Sequence, residues 1–268
     1  MSASMDWADP VWVDPDGGRM QLHGTLPTVV YPNIMRPRQG WHGLALLETP
    51  DVVELWVEEE ADEAASQGVN LTHAMLSGGA FGRYAEGISV LEELQGGRFP
   101  DPEPRRLQRN ADRHERPVFF IEPLADDPDW NDFLTKEARA MSHWRKLLSM
   151  IRIGKRWKKS VKHHVMTVTP PPKGQSVDYA SASVMASAWW ELTRAMSTPA
   201  LNEARDLRFA ARLRGALASL RVLHGDEATL LVALHQPHRE AMLKALCTQP
   251  TPEEISSTTT TTTAQEEE

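Results

Sequence analysis

The sequence predicts an α/β fold: a mostly parallel central sheet flanked by helices, with an N-terminal hairpin and a disordered C-terminal tail. Three observations carry this. Short apolar runs of strand length (Met20 to Thr25, Val52 to Val57, Val118 to Pro123, Thr229 to His235) alternate with longer segments of helical period. Asp127-Pro128 and Thr198-Pro199 pair a capping side chain with a proline that loses no needed donor at a first helical position. Asp14-Pro15-Asp16-Gly17-Gly18 supplies turn dihedrals between Val11-Trp12-Val13 and Met20-Gln21-Leu22, which predicts the hairpin.

After the hairpin, Gln39 to Glu48 reads as a short helix ended by Pro50, so the first crossover is β-α-β. Residues from about Asp62 to Leu94 read as helices broken at Gly78-Gly79 and Gly96-Gly97, and Arg105 to Glu115 as a short charged helix before the Val118 strand. Trp130, Phe133, Leu134, Ala138, Met141, Trp144, Leu147 and Leu148 keep a spacing near 3.6, which predicts one long helix reaching Ile151. Thr167 to Gly174 is a stiff polar connection. Leu207, Ala210, Leu213, Leu217 and Leu220 form an apolar stripe on a helix that Gly225 stops, and Arg239 to Leu246 is the last helix.

The 268 residues are divided as an N-terminal extension (1–10), one α/β domain (11–250) and a Thr/Glu-rich disordered tail (251–268). A net charge of -8 argues against a surface that attracts nucleic acid throughout, so any polyanion site is local. Cys247, the one cysteine, excludes an internal disulfide and a cysteine-based zinc site. No apolar stretch approaches transmembrane length and the start is acidic, so the reading is a soluble, cytoplasmic protein. P-loop, G-x-G-x-x-G, H-E-x-x-H and G-x-S-x-G patterns are all missing.

What remains is a set of polar groups at or near strand ends. His23, Glu54, Glu122 and His235 would converge on one edge if their four runs lie parallel, and ligands collect at the carboxyl ends of such strands. Imidazoles and carboxylates in that number suit a divalent metal (manganese, cobalt or zinc) with an open position for water, and His238 is a further donor. Arg205 is placed to orient a carboxylate such as Glu54 through its planar fork. Lys155 to Lys162 form a basic cluster around Trp157, able to hold phosphate and stack a base, or simply to present a solvated helix face. His163 and His164, adjacent on a helix, would point apart and are weak metal candidates.

Five blocks together resemble the TraB/PrgY-like family, which is related to Tiki-type metalloproteases and to the erythromycin-esterase/ChaN-like fold. They are Leu22-His23-Gly24-Thr25, Pro50-Asp51-Val52-Val53-Glu54-Leu55, Arg116 to Glu122, Ala204-Arg205-Asp206 and Leu231-Val232-Ala233-Leu234-His235. Gly24-Thr25, Glu54, Arg205 and His235 match the family pattern; Pro27 stands where its first histidine belongs and Val232 replaces a glycine. The resemblance implies a divergent, soluble member with a metal-dependent, peptidase-like hydrolase site. There Glu54 ligates or acts as base, His23 and His235 ligate, and Arg205 holds a carboxylate or developing oxyanion. A non-catalytic regulatory or ligand-binding module that keeps the fold but has lost the site is the alternative, favoured by Pro27. Polyanion binding through 155–162 is a third. The partner expected is a peptide or small ligand.

Overall fold

Gly17 and Gly18 adopt positive φ (102° and 80°), which lets the chain reverse between β1 (Val11–Val13) and β2 (Arg19–Thr25), an antiparallel pair. The structure, a computed structural model, describes residues 6–38 and 40–258. Three more strands extend the sheet in the order β1-β2-β5-β3-β4, where β3 is Gly43–Leu46, β4 is Val118–Phe120 and β5 is Thr229–His235. The pairings among these five strands beyond the hairpin are parallel, as expected. The last strand of the chain thus lies at the sheet's centre, which is why Leu230 to Leu234 is apolar without alternation: both faces of it are covered.

Two adjacent segments exchange the roles the sequence predicts. Gly43 to Leu46 is a strand where a short helix was expected, and Val52 to Val57, expected as a strand, begins helix α1 (Val52–Ala65). The physical reason is periodicity over too short a window. Leu55 and Val57 are about half exposed while Trp56 is buried and Val52 and Val53 pack beside it, a helical spacing that mimics alternation for a few residues. The acid- and alanine-rich continuation, Glu58 to Ala65, then favours helix. Gln39, at the start of the expected helix, lies outside the described residues.

Helices α2 (Val69–Leu76), α3 (Gly79–Ser89) and α4 (Pro102–Arg113) precede β4. The Asp127 carboxylate caps α5 (Pro128–Met141) by accepting from Trp130 N at 2.8 Å. The expected long helix is broken after Met141, where His143 caps a new start, giving α6 (Trp144–Ile151) and then α7 (Ile153–Val165). Next come α8 (Asp178–Arg194), α9 (Pro199–His224), whose first turn Thr198 caps through Leu201 N at 3.2 Å, and α10 (Arg239–Cys247). Among the described residues, no helix is long and apolar enough to cross a membrane.

Three apolar clusters organise these elements. Phe209, Ala210, Leu213, Leu217 and Leu220 of α9 pack on Met20, Leu22, Val232 and Phe119 from one sheet face. Trp56 of α1 and Leu107 and Ala111 of α4 cover Leu44, Leu46, Phe120 and Leu231 on the other. In the third, Tyr84 and Ile88 of α3 and Ala182 and Ala186 of α8 close over Leu26, Val29 and Tyr31, just beyond the end of β2. Helices therefore roof part of the carboxyl edge that the sequence suggests is an open site.

Both proposed ends of the domain are corrected where described. Residues 6–10 belong to the fold, since Pro10 accepts from Leu22 N and Asp9 bonds to β2. The tail, expected from 251, does not begin there: Ile255 is buried in the first core, Glu253 bonds Arg208 and Arg212, and Thr258 pairs with Val118. Gly215 makes this possible, because a Cβ there would sit 1.7 Å from Glu253 O. The remainder, 259–268, lies outside the described residues.

Candidate ligand-binding cleft

The parallel register sets His23, Ala233, Leu46 and Phe120 in one row across the sheet, with His235 two residues further out on the same face. Of the predicted site residues, His23, His235 and Glu122 do stand at this carboxyl edge. Glu54 does not come from a strand; it is exposed on the first turn of α1, and Glu48 occupies the strand-end place intended for it, opposite Glu122 N at 3.3 Å. Arg205 pairs with Glu137 and lies over the Phe133 ring at 5.2 Å rather than with Glu54. Among the described residues, no group of three or more His, Cys, Asp or Glu side chains is arranged to hold a metal ion.

Each edge histidine has its own surroundings. His23 is buried, with Nδ1 2.9 Å from Asp9 and Nε2 3.3 Å from Glu103, the latter without hydrogen-bond alignment. Burial opposes the imidazolium, yet the two carboxylates outweigh it and hold the His23 pKa above its ordinary value. The pKa of neighbouring Asp101 is also raised, to about 8, by burial and by Glu103, which for an acid favours the neutral form. Glu122 is also raised, by burial and Glu137 against the pull of Arg205. His235 packs edge-on to Trp189 and Trp190, with ring centroids 4.9 and 5.9 Å away. Burial, helped by His238, lowers its pKa to about 4, and its Nδ1 has no partner among the described residues.

A cleft suited to a ligand lies elsewhere, between α7, α8 and α10. Helix α8 carries Ser183, Ser187 and Glu191 at four-residue spacing, hence on one face. Ser183 Oγ donates to Gln236 at 2.5 Å. Glu191 receives Ser160 Oγ at 2.5 Å and His164 Nε2 at 3.1 Å, both from α7. Between these partnered groups Ser187, 2% exposed, has a hydroxyl with no partner among the described residues, and His164, 5% exposed, has an Nδ1 likewise without one. Both line a cavity of about 740 Å³ together with Trp190, Pro237, Ala241 and Lys244. A second cavity, about 630 Å³, meets it at Glu191, Arg194, Ala241 and Lys244.

Electrostatics fix the state of this wall. Burial lowers the His164 pKa despite Glu191, so the ring is neutral at pH 7. Because Nε2 faces a carboxylate it carries the proton, and Nδ1 is left as a bare acceptor. Beside it, Asp206 of α9 accepts both Arg194 Nη atoms (3.1 and 2.8 Å) and His238 Nε2 (2.8 Å). Burial alone would raise the Asp206 pKa; His238 and Arg194 outweigh it and hold it low. The Trp190 ring lies 4.5 Å from that of His238 and 5.7 Å from the Arg194 guanidinium carbon, and the ring itself borders the cavity.

None of Ser187, His164, Glu191, Arg194 or Asp206 was singled out as a site residue by sequence reasoning. The four-residue spacing of Ser183, Ser187 and Glu191 along α8 was the available signal. The block containing Arg205 pointed one residue wide of Asp206. His163 and His164, dismissed as pointing apart, both border the cleft, with only His164 buried. In the basic segment Lys155, Lys158, Lys159 and Lys162 are solvent-exposed, while Trp157 packs against the third core and is not offered to a base. Comparison of the chain with family models, with curated proteins and with solved structures gives no match, so the TraB/PrgY-like resemblance rests on the residue blocks alone.

Proposed function

We propose that this protein is a ligand-binding module whose site is the α7-α8-α10 cleft, and that its ligand is a small molecule with a flat apolar part and a hydroxyl or N–H group. The observation that carries the reading is the pair of buried, unpartnered polar atoms, Ser187 Oγ and His164 Nδ1, on one cavity wall. A buried polar group without a hydrogen bond costs about 1–3 kcal/mol, which a ligand would recover. His164 Nδ1 accepts and Ser187 Oγ donates or accepts, so a hydroxyl or amine satisfies both. Trp190, Pro237 and Ala241 offer the apolar wall.

One observation favours a catalytic extension of the same site. Glu191 orients a neutral imidazole on a residue that lines the cavity, and a histidine so held can remove a proton from a hydroxyl that reaches its other nitrogen. Binding is the primary claim, and ligand-observed NMR with benzyl alcohol, catechol and tyramine tests it. Saturation transfer should be seen with the native protein and be lost in Ser187→Ala and in His164→Phe variants that keep their melting transitions. Equal transfer in both variants would place the fragments elsewhere and end this reading.

A further inference from the structure

The charged helix α4 makes a second site, independent of the cleft above. Arg105, Arg109 and Arg113 follow at four-residue spacing, so their guanidinium groups issue from one face at intervals of about 6 Å. Arg106 stands beside them and Arg98 joins from the preceding loop, so that five arginines line one cavity of about 530 Å³. Glu60 is the one carboxylate on its wall among the described residues. In a chain of net charge -8 this concentration of positive charge is local, and the self-repulsion of clustered cations is relieved by an anion.

Glu60 shows which anion geometry the groove accepts. Arg105 grips its two oxygens in a fork (Nε at 2.9 Å, Nη2 at 3.1 Å) and Arg109 adds a third contact at 2.7 Å. Arg106 is taken by the buried Glu103. Among the described residues, Arg98 and Arg113 carry no ion pair, and they stand before and at the end of a twelve-residue helix about 18 Å long. An anion that uses them both must be extended and charged along its length. Phosphate suits these forks as well as carboxylate does. The lining holds one aromatic ring, Phe99, too little for the successive stacking that single-stranded nucleic acid uses.

We infer that the α4 groove binds a linear chain of phosphate groups, with Arg98 and Arg113 holding its outer phosphates and Arg105 and Arg109 flanking its middle. The test is calorimetric titration of the full chain with inorganic polyphosphate of about fifteen phosphates, repeated across a salt series. The variant R98Q/R113Q removes charges that make no ion pair, and its melting transition checks that it stays folded. Native protein should bind. The double variant should lose at least about tenfold in affinity, and the slope of log K against log salt should shrink by about 1.4, taking about 0.7 per lost contact as for a single strand. K158Q/K159Q, on α7 and outside the lining of this groove, should bind as the native protein does. Unchanged affinity and slope in R98Q/R113Q would overturn the inference, as would transfer of the loss to K158Q/K159Q. Tighter binding of an oligodeoxythymidine of equal charge would overturn it too, by making this a nucleic-acid site.

Discussion

His164 Nε2 lies 3.1 Å from Glu191 Oε2, which leaves the opposite ring nitrogen as a buried acceptor on the wall of a cleft. Two helices, not the sheet edge, create that relationship: Ser160 and His164 of α7 both bond Glu191 of α8. Around it the cleft needs a rigid frame, and Asp206 provides it by joining α8, α9 and the turn before α10 through Arg194 and His238.

Breaking that frame should cost stability. Asp206→Ala leaves Arg194 without its carboxylate and His238 without its acceptor, and loss of one member of a buried pair typically costs about 3–5 kcal/mol. Urea denaturation of the variant should show a loss of that size. A change under about 1 kcal/mol would mean that the pair is solvated.

The pH dependence should have two limbs of opposite origin. His235 is neutral in the fold with its pKa near 4, below the unfolded value of about 6.5, so the unfolded chain binds more protons between them and stability falls as pH drops from about 6.5 to 4. The full effect is about 3 kcal/mol. In His235→Leu the acid limb should flatten in a series of melts from pH 4 to 7; a slope identical to that of the native protein would contradict the assignment.

On the alkaline side the sign reverses. Asp101, raised to about 8 against about 3.8 unfolded, and His23, also raised, bind more protons in the folded state, so their contribution is present at low pH and is lost as pH rises toward 8. Asp101→Asn keeps an oxygen for Thr28 N and removes the titration. Its melting temperature should gain on the native protein between pH 5 and pH 8, whereas a constant difference across that range would count against a raised Asp101.

Truncation after Pro252 should be destabilising. It removes the buried Ile255 side chain and the Glu253 carboxylate that Arg208 and Arg212 share, and burying one such aliphatic side chain is worth about 1.5–3 kcal/mol. A melting temperature within a degree of the full chain's would show that this segment does not hold to α9.

The sequence disclosed the architecture better than the site. Proline-marked helix starts, the hairpin turn and the apolar β5 run are local signals, and each led to the right element. The exchange of strand and helix between Gly43 and Val57 arose because a few apolar residues satisfy both periods until tertiary packing chooses. That error moved Glu54 to the wrong element. His23, Glu122 and His235 were placed at the right edge, but what surrounds them is set by distant partners, Asp9 and Glu103 for one and Trp189 and Trp190 for another. The cleft was hardest to see because Ser187 and His164 acquire meaning only when two helices pair.

Crystallography of the protein soaked with tyramine shows whether the cleft is a binding site. Ligand density is expected in the α7-α8-α10 cleft with one hydroxyl or amine within hydrogen-bond distance of both Ser187 Oγ and His164 Nδ1 and the ring against Trp190. Density in which Ser187 and His164 bond to each other or to neighbouring side chains, with the cleft closed over them, would contradict it.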